Sequence, residues 1–273
     1  MILASIGALA LIDPNRLANS QKEVLSILGG YNNYWQIGMQ ADYFANLTNT
    51  SPFTHLWYIA ILIQFDLIWP LLALLYRTVR THSSRANALL TFTILMLVSF
   101  LVMPVQMLFS GEVNITAIYY STHTRLFSLM AGVVLGLLHQ ENLHITVLRF
   151  RHAAVTRTIY LLFLAVTVLI YFTCPGTKML VYFPGMQLYT LAVVLLIEIL
   201  QMNRKHLQYF LDDRLSEWIS RCSYDIYLWQ YPVFFITGVL FPKGLPFLAV
   251  LQILLIVILS IWSHALLSFK KKK

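Results

Sequence analysis

Charge is scarce in this sequence. Only 11% of its 273 residues are Asp, Glu, Lys or Arg, and just 11 residues are acidic. Cysteine is scarcer still. Cys174 and Cys222 are the only two; they fall on opposite predicted sides of a membrane and neither has metal-ligand spacing, which excludes a disulfide between them and a zinc site. No pair of histidines stands four apart on one helix beside a glutamate, so no metal is expected. No internal repeat suggests a transporter built from inverted halves. What fills the chain is apolar: 59% of the residues are hydrophobic and the mean hydropathy is +0.71, far outside the balance of a soluble domain.

The expected fold class is therefore all-α, a polytopic transmembrane helix bundle forming a single domain over 1–273 without a soluble domain. A spanning helix needs roughly 20 mostly apolar residues, and seven such segments are present: Thr54 to Tyr76, Ala88 to Phe109, Ala117 to Leu138, Thr158 to Phe172, Leu180 to Gln201, Tyr224 to Phe241 and Pro246 to Ser268. A short apolar helix, Met1 to Ile12, precedes them and would reach only about 18 Å. It lacks the charged start and cleavage site of a signal peptide and is either interfacial or the tail of a longer helix, ended by Asp13-Pro14. Arg16 to Thr50 is polar and aromatic and is expected outside, with an amphipathic helix from Ser20 to Leu28 and a loop containing Tyr43 and Phe44. A second amphipathic stretch, Leu211 to Ile219, is expected on the inner surface. Tight turns are marked by Pro175-Gly176 and by Pro242 to Pro246. Asn46-Leu-Thr48 and Asn114-Ile-Thr116 fit the glycosylation triplet, a pattern common by chance.

The net charge of +8 does not point to nucleic acid. Arg77, Arg80 and Arg85 share one loop; Arg149, Arg151 and Arg157 another; Arg204, Lys205, Arg214 and Arg221 a third; Lys270 to Lys273 close the chain. These are 14 of the 19 basic residues, placed after alternate spans, and the positive-inside rule puts them and the carboxyl terminus in the cytoplasm.

Three stretches carry candidate chemistry. Pro52 to Pro70 reads Pro-Phe-Thr-His-Leu-Trp-Tyr-Ile-Ala-Ile-Leu-Ile-Gln-Phe-Asp-Leu-Ile-Trp-Pro, and takes a carboxylate, Asp66, deep into an apolar run where an unpaired charge costs several kcal/mol. Tyr119 to Leu138 holds Arg125 about eight residues, or roughly 12 Å, inside its span, where an arginine should face the bundle and hold a partner unless it snorkels outward. The depth of Asp66, roughly 18 Å, differs by about one turn, so an Asp66–Arg125 pair is expected, either functional or structural. Gly132 and Gly136, four apart, would let a neighbouring helix approach closely. His55 and His123 sit near outer helix ends, as a general base for an external hydroxyl or as hydrogen-bonded caps. Ser220 to Phe234 places Tyr224, Tyr227, Leu228 and Tyr231 at helical spacing along one stripe, for packing or for lining a substrate. Glu198 is expected at the inner interface.

These stretches resemble the motifs of the acyltransferase 3 family, membrane O-acyltransferases of cell-envelope glycans. His55, Leu56, Trp57, Ala60, Gln64, Phe65, Leu67, Ile68, Trp69 and Pro70 match the family's His-Leu-Trp-Ser-Leu-Ala-Val-Glu-Glu-Gln-Phe-Tyr-Leu-Ile-Trp-Pro, with Leu62 and Ile63 where the family has two glutamates; Asp66 lies one turn further on the same face. Tyr119-Tyr-Ser-Thr-His-Thr-Arg125 is similar to an aromatic pair followed by Ser/Gly-Thr-Asp/His-Thr-Arg. Ser223, Tyr224, Ile226, Tyr227, Leu228, Trp229, Tyr231, Pro232 and Val233 fit a Ser-Tyr-Ser-Ile-Tyr-Leu-Trp-His-Tyr-Pro-Val signature, with Asp225 and Gln230 as departures.

The resemblance implies transfer of an acyl group, usually acetyl, from coenzyme A thioester to a hydroxyl of an extracytoplasmic glycan or peptidoglycan sugar, in a bacterial cytoplasmic membrane. Asp66, Arg125 and His123 are then the candidate catalytic residues. His55, Trp57, Gln64, Tyr224, Tyr227 and Trp229 are the candidate substrate-binding ones. An arginine–histidine pair on the family's first helix has no counterpart, and the chain is expected to be amino-terminally truncated. Two alternatives remain at this point: an inactive relative acting as regulator or scaffold for a membrane protein partner, or a small-solute or lipid transporter using Asp66 and Arg125.

Overall fold

The computed structural model describes residues 1–39, 51–109, 114–143, 145, 148–174, 178–211, 213–241 and 246–269. Their regular structure is helical throughout: α1 Ile2–Ile12, α2 Pro14–Leu28, α3 Asn32–Gly38, α4 Trp57–His82, α5 Arg85–Phe109, α6 Ile115–Tyr120, α7 Thr122–Gln140, α8 Ala153–Thr173, α9 Met186–Met202, α10 Arg204–Leu211, α11 Arg214–Leu240 and α12 Leu248–Phe269. The glycosylation triplet at Asn46, the turns at Pro175-Gly176 and Pro242 to Gly244, and the terminal lysines lie outside the described residues, as do Tyr43 and Phe44.

Among the described residues six helices are long and apolar enough to cross a membrane: Thr54–His82, Arg85–Phe109, Ile115–Gln140, Ala153–Thr173, Val181–Met202 and Leu248–Leu266. The expected seventh lies within α11, which has the length but dilutes its apolar run with Asp225, Gln230 and three tyrosines. Large apolar side chains stand exposed along these helices, among them Leu67, Leu71 and Leu74 on α4, Leu161, Leu162 and Leu169 on α8, and Ile253, Leu254 and Ile258 on α12. Only lipid can cover such surfaces without a large hydrophobic penalty. The chain is an integral membrane protein.

It divides into two compact units, Met1–Leu62 with Asp212–Lys273, and Ile63–Leu211, the boundary falling inside α4. In the first unit α11 packs along α12, and α1 along α2 and α11. Pro14 opens α2 at the first helical position, where its missing N–H costs nothing, and the helix is six residues longer at its start than expected. The amphipathic stretch Leu211 to Ile219 is divided between two helices: α10 ends at Leu211, and Leu215 to Ile219 belong to the first turns of α11, whose N-cap Asp213 accepts a bond of 2.7 Å from the Ser216 amide.

In the second unit α7 is the central helix, packed on α5 and α9. Tyr76 of α4, Ala88 and Phe92 of α5, and Met130 and Leu137 of α7 form one buried cluster; Met103, Ile118 and Tyr182 form another. The α9 span is not one straight helix. Phe183 is extended (φ −140°, ψ 126°) inside the Val181–Gly185 turn, because the ring of Pro184 disfavours helical backbone in the residue before it. Among the described residues of this unit no neighbouring helix packs on Gly132 and Gly136. A Cβ added to either would meet nothing within 4 Å, since their stripe of α7 faces away from both packing partners.

Between α2 and α3 the carboxylate of Glu23 is buried and bound by neutral donors, Asn32 Nδ2 at 2.9 Å and Gln36 Nε2 at 2.6 Å. Burial pushes its carboxyl above the ordinary 4.5, and bonds from Ser51, Asn32 and Gln36 offset this only in part. A raised folded-state value means that the native state holds the proton more tightly, so its stabilising contribution is complete at low pH and is lost as pH rises through that value. Glu23→Gln keeps the shape and cannot titrate. Melting temperatures in detergent should decline as pH rises above the ordinary glutamate range for the wild type and stay flat for the variant.

Candidate active site

The central helix is built from two pieces. Asn114 caps α6, its Oδ1 accepting from the Ala117 amide at 2.9 Å, and Ser121 is extended (φ −68°, ψ 137°) between α6 and α7. A helix that stops leaves its last carbonyls without intrahelical donors, and inside a membrane each must find another. Thr124 Oγ1 donates to the Ile118 carbonyl at 2.7 Å and to that of Ser121 at 2.8 Å, and Arg125 Nε donates to the Tyr119 carbonyl at 2.8 Å. The guanidinium also lies 4.5 Å from the Tyr119 ring centroid and directs Nη1 at Met186 Sδ. The Tyr-Tyr-Ser-Thr-His-Thr-Arg sequence thus folds back on its own break.

One expected site residue, Gln64, is joined here to the helix that bears two others, His123 and Arg125. Thr122 Oγ1 donates to Gln64 Oε1 at 2.5 Å, tying α4 to the start of α7, and Thr122 and Arg125 share a helix face three residues apart. His123 Nε2 lies 2.9 Å from Gln106 Oε1; with that oxygen as acceptor, Nε2 carries the proton and Nδ1 is the basic nitrogen. Asp66 does not join them. It is exposed, and neither an ion pair nor a hydrogen bond reaches it from any described residue. At 100° per residue it lies about 200° around α4 from Gln64, so the side that meets α7 cannot carry both. The expected Asp66–Arg125 pair is absent.

The remaining residues belong to the other unit. His55, in the turn Thr54–Leu56 before α4, is buried. Its ring stacks on Tyr231 at 5.2 Å and tilts against Tyr227 at 5.3 Å, while the Tyr227 hydroxyl donates to the His55 carbonyl. This is a packed aromatic nest around the motif histidine. Trp57 is buried edge-on to Tyr58. Tyr224 is exposed and leaves the stripe. The buried face of α11 is instead Cys222, Asp225, Trp229, Val233 and Thr237. Trp229 Nε1 donates to Ser263 Oγ at 3.3 Å, Ser263 Oγ to Asp225 Oδ1 at 2.7 Å, and His264 Nδ1 stands 3.3 Å from Asp225 Oδ2. The Asp225 departure from the motif is thereby answered by two polar residues of α12.

Two carboxylate clusters escaped the sequence reading. Glu198, expected at an interface, is buried, 2.5 Å from His139 Nε2, and accepts from the Ile145 amide at 3.1 Å. Glu141 accepts from Tyr76 Oη at 2.5 Å and Arg80 Nε at 2.7 Å, with Arg85 Nε at 3.9 Å. The signal was a lone acid following a helix of the apolar core, in a chain whose loops are basic. Beside it lies a cavity of about 410 Å³ with Trp69, Tyr76, Arg77 and Arg80 in its wall. Among the described residues no three His, Cys, Asp or Glu side chains come together to hold a metal ion.

The sequence matches the family Acyl_transf_3, an acyltransferase domain, over residues 24–268. The chain belongs to the acyltransferase 3 family. It is 30% identical over 239 residues to the putative peptidoglycan O-acetyltransferase YrhL of Bacillus subtilis, covering 85% of this chain and 36% of that protein. It is 25% identical over 238 residues to the peptidoglycan O-acetyltransferase OatA of Listeria monocytogenes (87% and 38%) and 24% identical over 235 residues to the O-acetyltransferase OatA of Staphylococcus aureus (86% and 38%). The chain thus spans little more than a third of the length of these relatives. No solved structure matches it.

Within this acyltransferase domain the Glu141 cluster makes a testable claim on stability. The Tyr76 and Arg80 bonds hold the Glu141 carboxyl below its ordinary 4.5. A depressed value gives stability that is present above the ordinary range and lost as pH falls through the folded-state value. Glu141→Gln should lower the melting temperature at neutral pH and blunt its fall on acidification below about pH 4.5, as read by tryptophan fluorescence in detergent.

Proposed function

We propose that this acyltransferase 3 chain forms the membrane part of an O-acyltransferase that moves acetyl from a coenzyme A thioester to a hydroxyl of an extracytoplasmic peptidoglycan or related glycan sugar. The observation that carries the reading is the Gln64–Thr122 bond, which sets two family motifs side by side at the end of α7 that also bears His123 and Arg125. The names of the relatives supply the reaction class and the acceptor class. In the bacterial cytoplasmic membrane, with the basic loops and carboxyl terminus inside, this end of α7 faces outward. The cavity beside Arg77 and Arg80 then opens to the cytoplasm.

The residues suit the reaction. Transfer needs a base for the acceptor hydroxyl and positive charge where the thioester oxygen becomes anionic; His123 Nδ1 and the Arg125 guanidinium are the groups of that kind at this end. The donor's phosphates need cations, and its adenine a flat apolar surface. Arg77 makes no ion pair with a described residue, and Trp69 and Tyr76 stand in the same wall. Asp66 is the single carboxylate of α4, on the side away from Gln64. The transporter reading loses its basis with the Asp66–Arg125 pair.

The test is transfer of labelled acetyl from acetyl-coenzyme A to peptidoglycan in membrane vesicles carrying the protein. Arg125→Ala should lower the rate by about 10² or more and His123→Ala by a comparable factor. Asp66→Asn should cost less than about tenfold, because a group with no partner contributes less to positioning. No transfer by the wild type, or transfer unaffected by Arg125→Ala, rejects the assignment.

A further inference from the structure

A buried amide in a membrane-crossing segment has no water to bond, so its partners must come from the protein or from a ligand. Gln187 stands on α9, inside the span Val181–Met202, and is buried. Its Nε2 donates to Met103 Sδ at 3.3 Å, and its Oε1 has no partner among the described residues. Sulfur is a weak acceptor, and the amide nitrogen carries two N–H groups. A buried acceptor left unmet is destabilising, so the fold gains almost nothing from this side chain. Arg125 also meets a sulfur: Nη1 is directed at Met186 Sδ at 2.8 Å, while Nε bonds to the Tyr119 carbonyl. Both side chains stand in the wall of one recess of about 30 Å³, together with Met103, Phe127 and Met186.

Two donors that rest on thioether sulfurs in one wall suit an oxygen ligand, because an oxygen is the stronger acceptor and displaces the sulfurs at little cost. The volume sets the ligand's size. About 30 Å³ accommodates roughly two groups as large as water, which is an oxygen and a methyl, and is too little for a phosphate. Met103, Phe127 and Met186 give that methyl an apolar wall. An acetyl group has this size and this division between one polar and one apolar end.

We propose that this recess seats the acyl group during transfer, Gln187 Nε2 joining Arg125 as a second donor to the acyl oxygen while Met103, Phe127 and Met186 limit the chain to acetyl. The inference rests on the acyl-transfer reading. As the acceptor's oxygen bonds to the carbonyl carbon, its proton passes to His123 and the carbonyl electron pair moves onto the oxygen held by the two donors. Return of that pair breaks the C–S bond, and the leaving thiolate takes up the proton.

The test is transfer in membrane vesicles from acetyl- and butyryl-coenzyme A, by the wild type and by Gln187→Met, which keeps the length of the side chain and removes the amide. With acetyl the variant should show a kcat lower by about 10², the worth of one donor to a developing oxyanion, and a KM little changed. Its melting temperature should equal or exceed that of the wild type, because an unmet buried acceptor is gone; a glutamine serving only the fold would lower the melting temperature and leave kcat alone. The wild type should use butyryl-coenzyme A at least about tenfold more slowly than acetyl-coenzyme A, and Phe127→Leu, which widens the recess, should narrow that ratio about tenfold. The wild-type comparison needs no variant and decides the matter should Gln187→Met fail to fold. Equal use of the two donors by the wild type overturns this inference and leaves the acyl-transfer reading intact. So does acetyl transfer by Gln187→Met at the wild-type rate where Arg125→Ala has lost it, which would leave the amide a bound water only. No transfer by the wild type rejects both.

Discussion

Inside a bilayer a carbonyl without a donor is the expensive object, and the break at Ser121 creates several of them. The helix stops and restarts within a membrane-crossing segment, and the chain answers from the next turn: Thr124 and Arg125 reach back to Ile118, Ser121 and Tyr119. That requirement explains why a charged side chain is tolerated about 12 Å into a span. It also explains why the arginine is oriented. A guanidinium bound to the carbonyl of its own preceding turn and resting on the tyrosine ring there is rigid before any ligand arrives, and such preorganisation is what charge stabilisation in a reaction requires.

The same economy governs the other polar groups. Glu141, Glu198 and Asp225 are each buried and each given donors from helices or loops remote in sequence, Tyr76 and Arg80 for the first, His139 for the second, Ser263 and His264 for the third. Glu23 differs in having only amides and a hydroxyl for partners, with no opposite charge beside it, so burial favours its protonated, neutral form. A removed charge is costly where its partner stays behind, so these clusters constrain the sequence as strongly as the apolar core does.

The exposed faces are equally informative. The side of α4 that carries Ile63, Asp66 and Leu67, and the glycine stripe of α7, are both uncovered in their unit. The first is the face on which the family places two glutamates. The matched relatives are nearly three times as long as the matched region.

Class, family and six of the seven expected spans were legible from residues alone, because apolar runs of about 20 residues leave a chain no alternative to crossing a bilayer as helices, and because the three motifs are ordered strings. Gln64, Thr122 and Arg125 were visible in those strings, though the Gln64–Thr122 contact was not. Tertiary structure decided which residues meet. Asp66 and Arg125 have matching depth, but depth says nothing about rotation around a helix, and 200° separated Asp66 from the side that packs. Tyr224, Tyr227 and Tyr231 share a nominal stripe, yet the first is exposed while the other two close on His55. In an almost wholly apolar helix no polar stripe marks the inner side; its direction follows from packing against helices distant in sequence, and that information exists only in the folded chain.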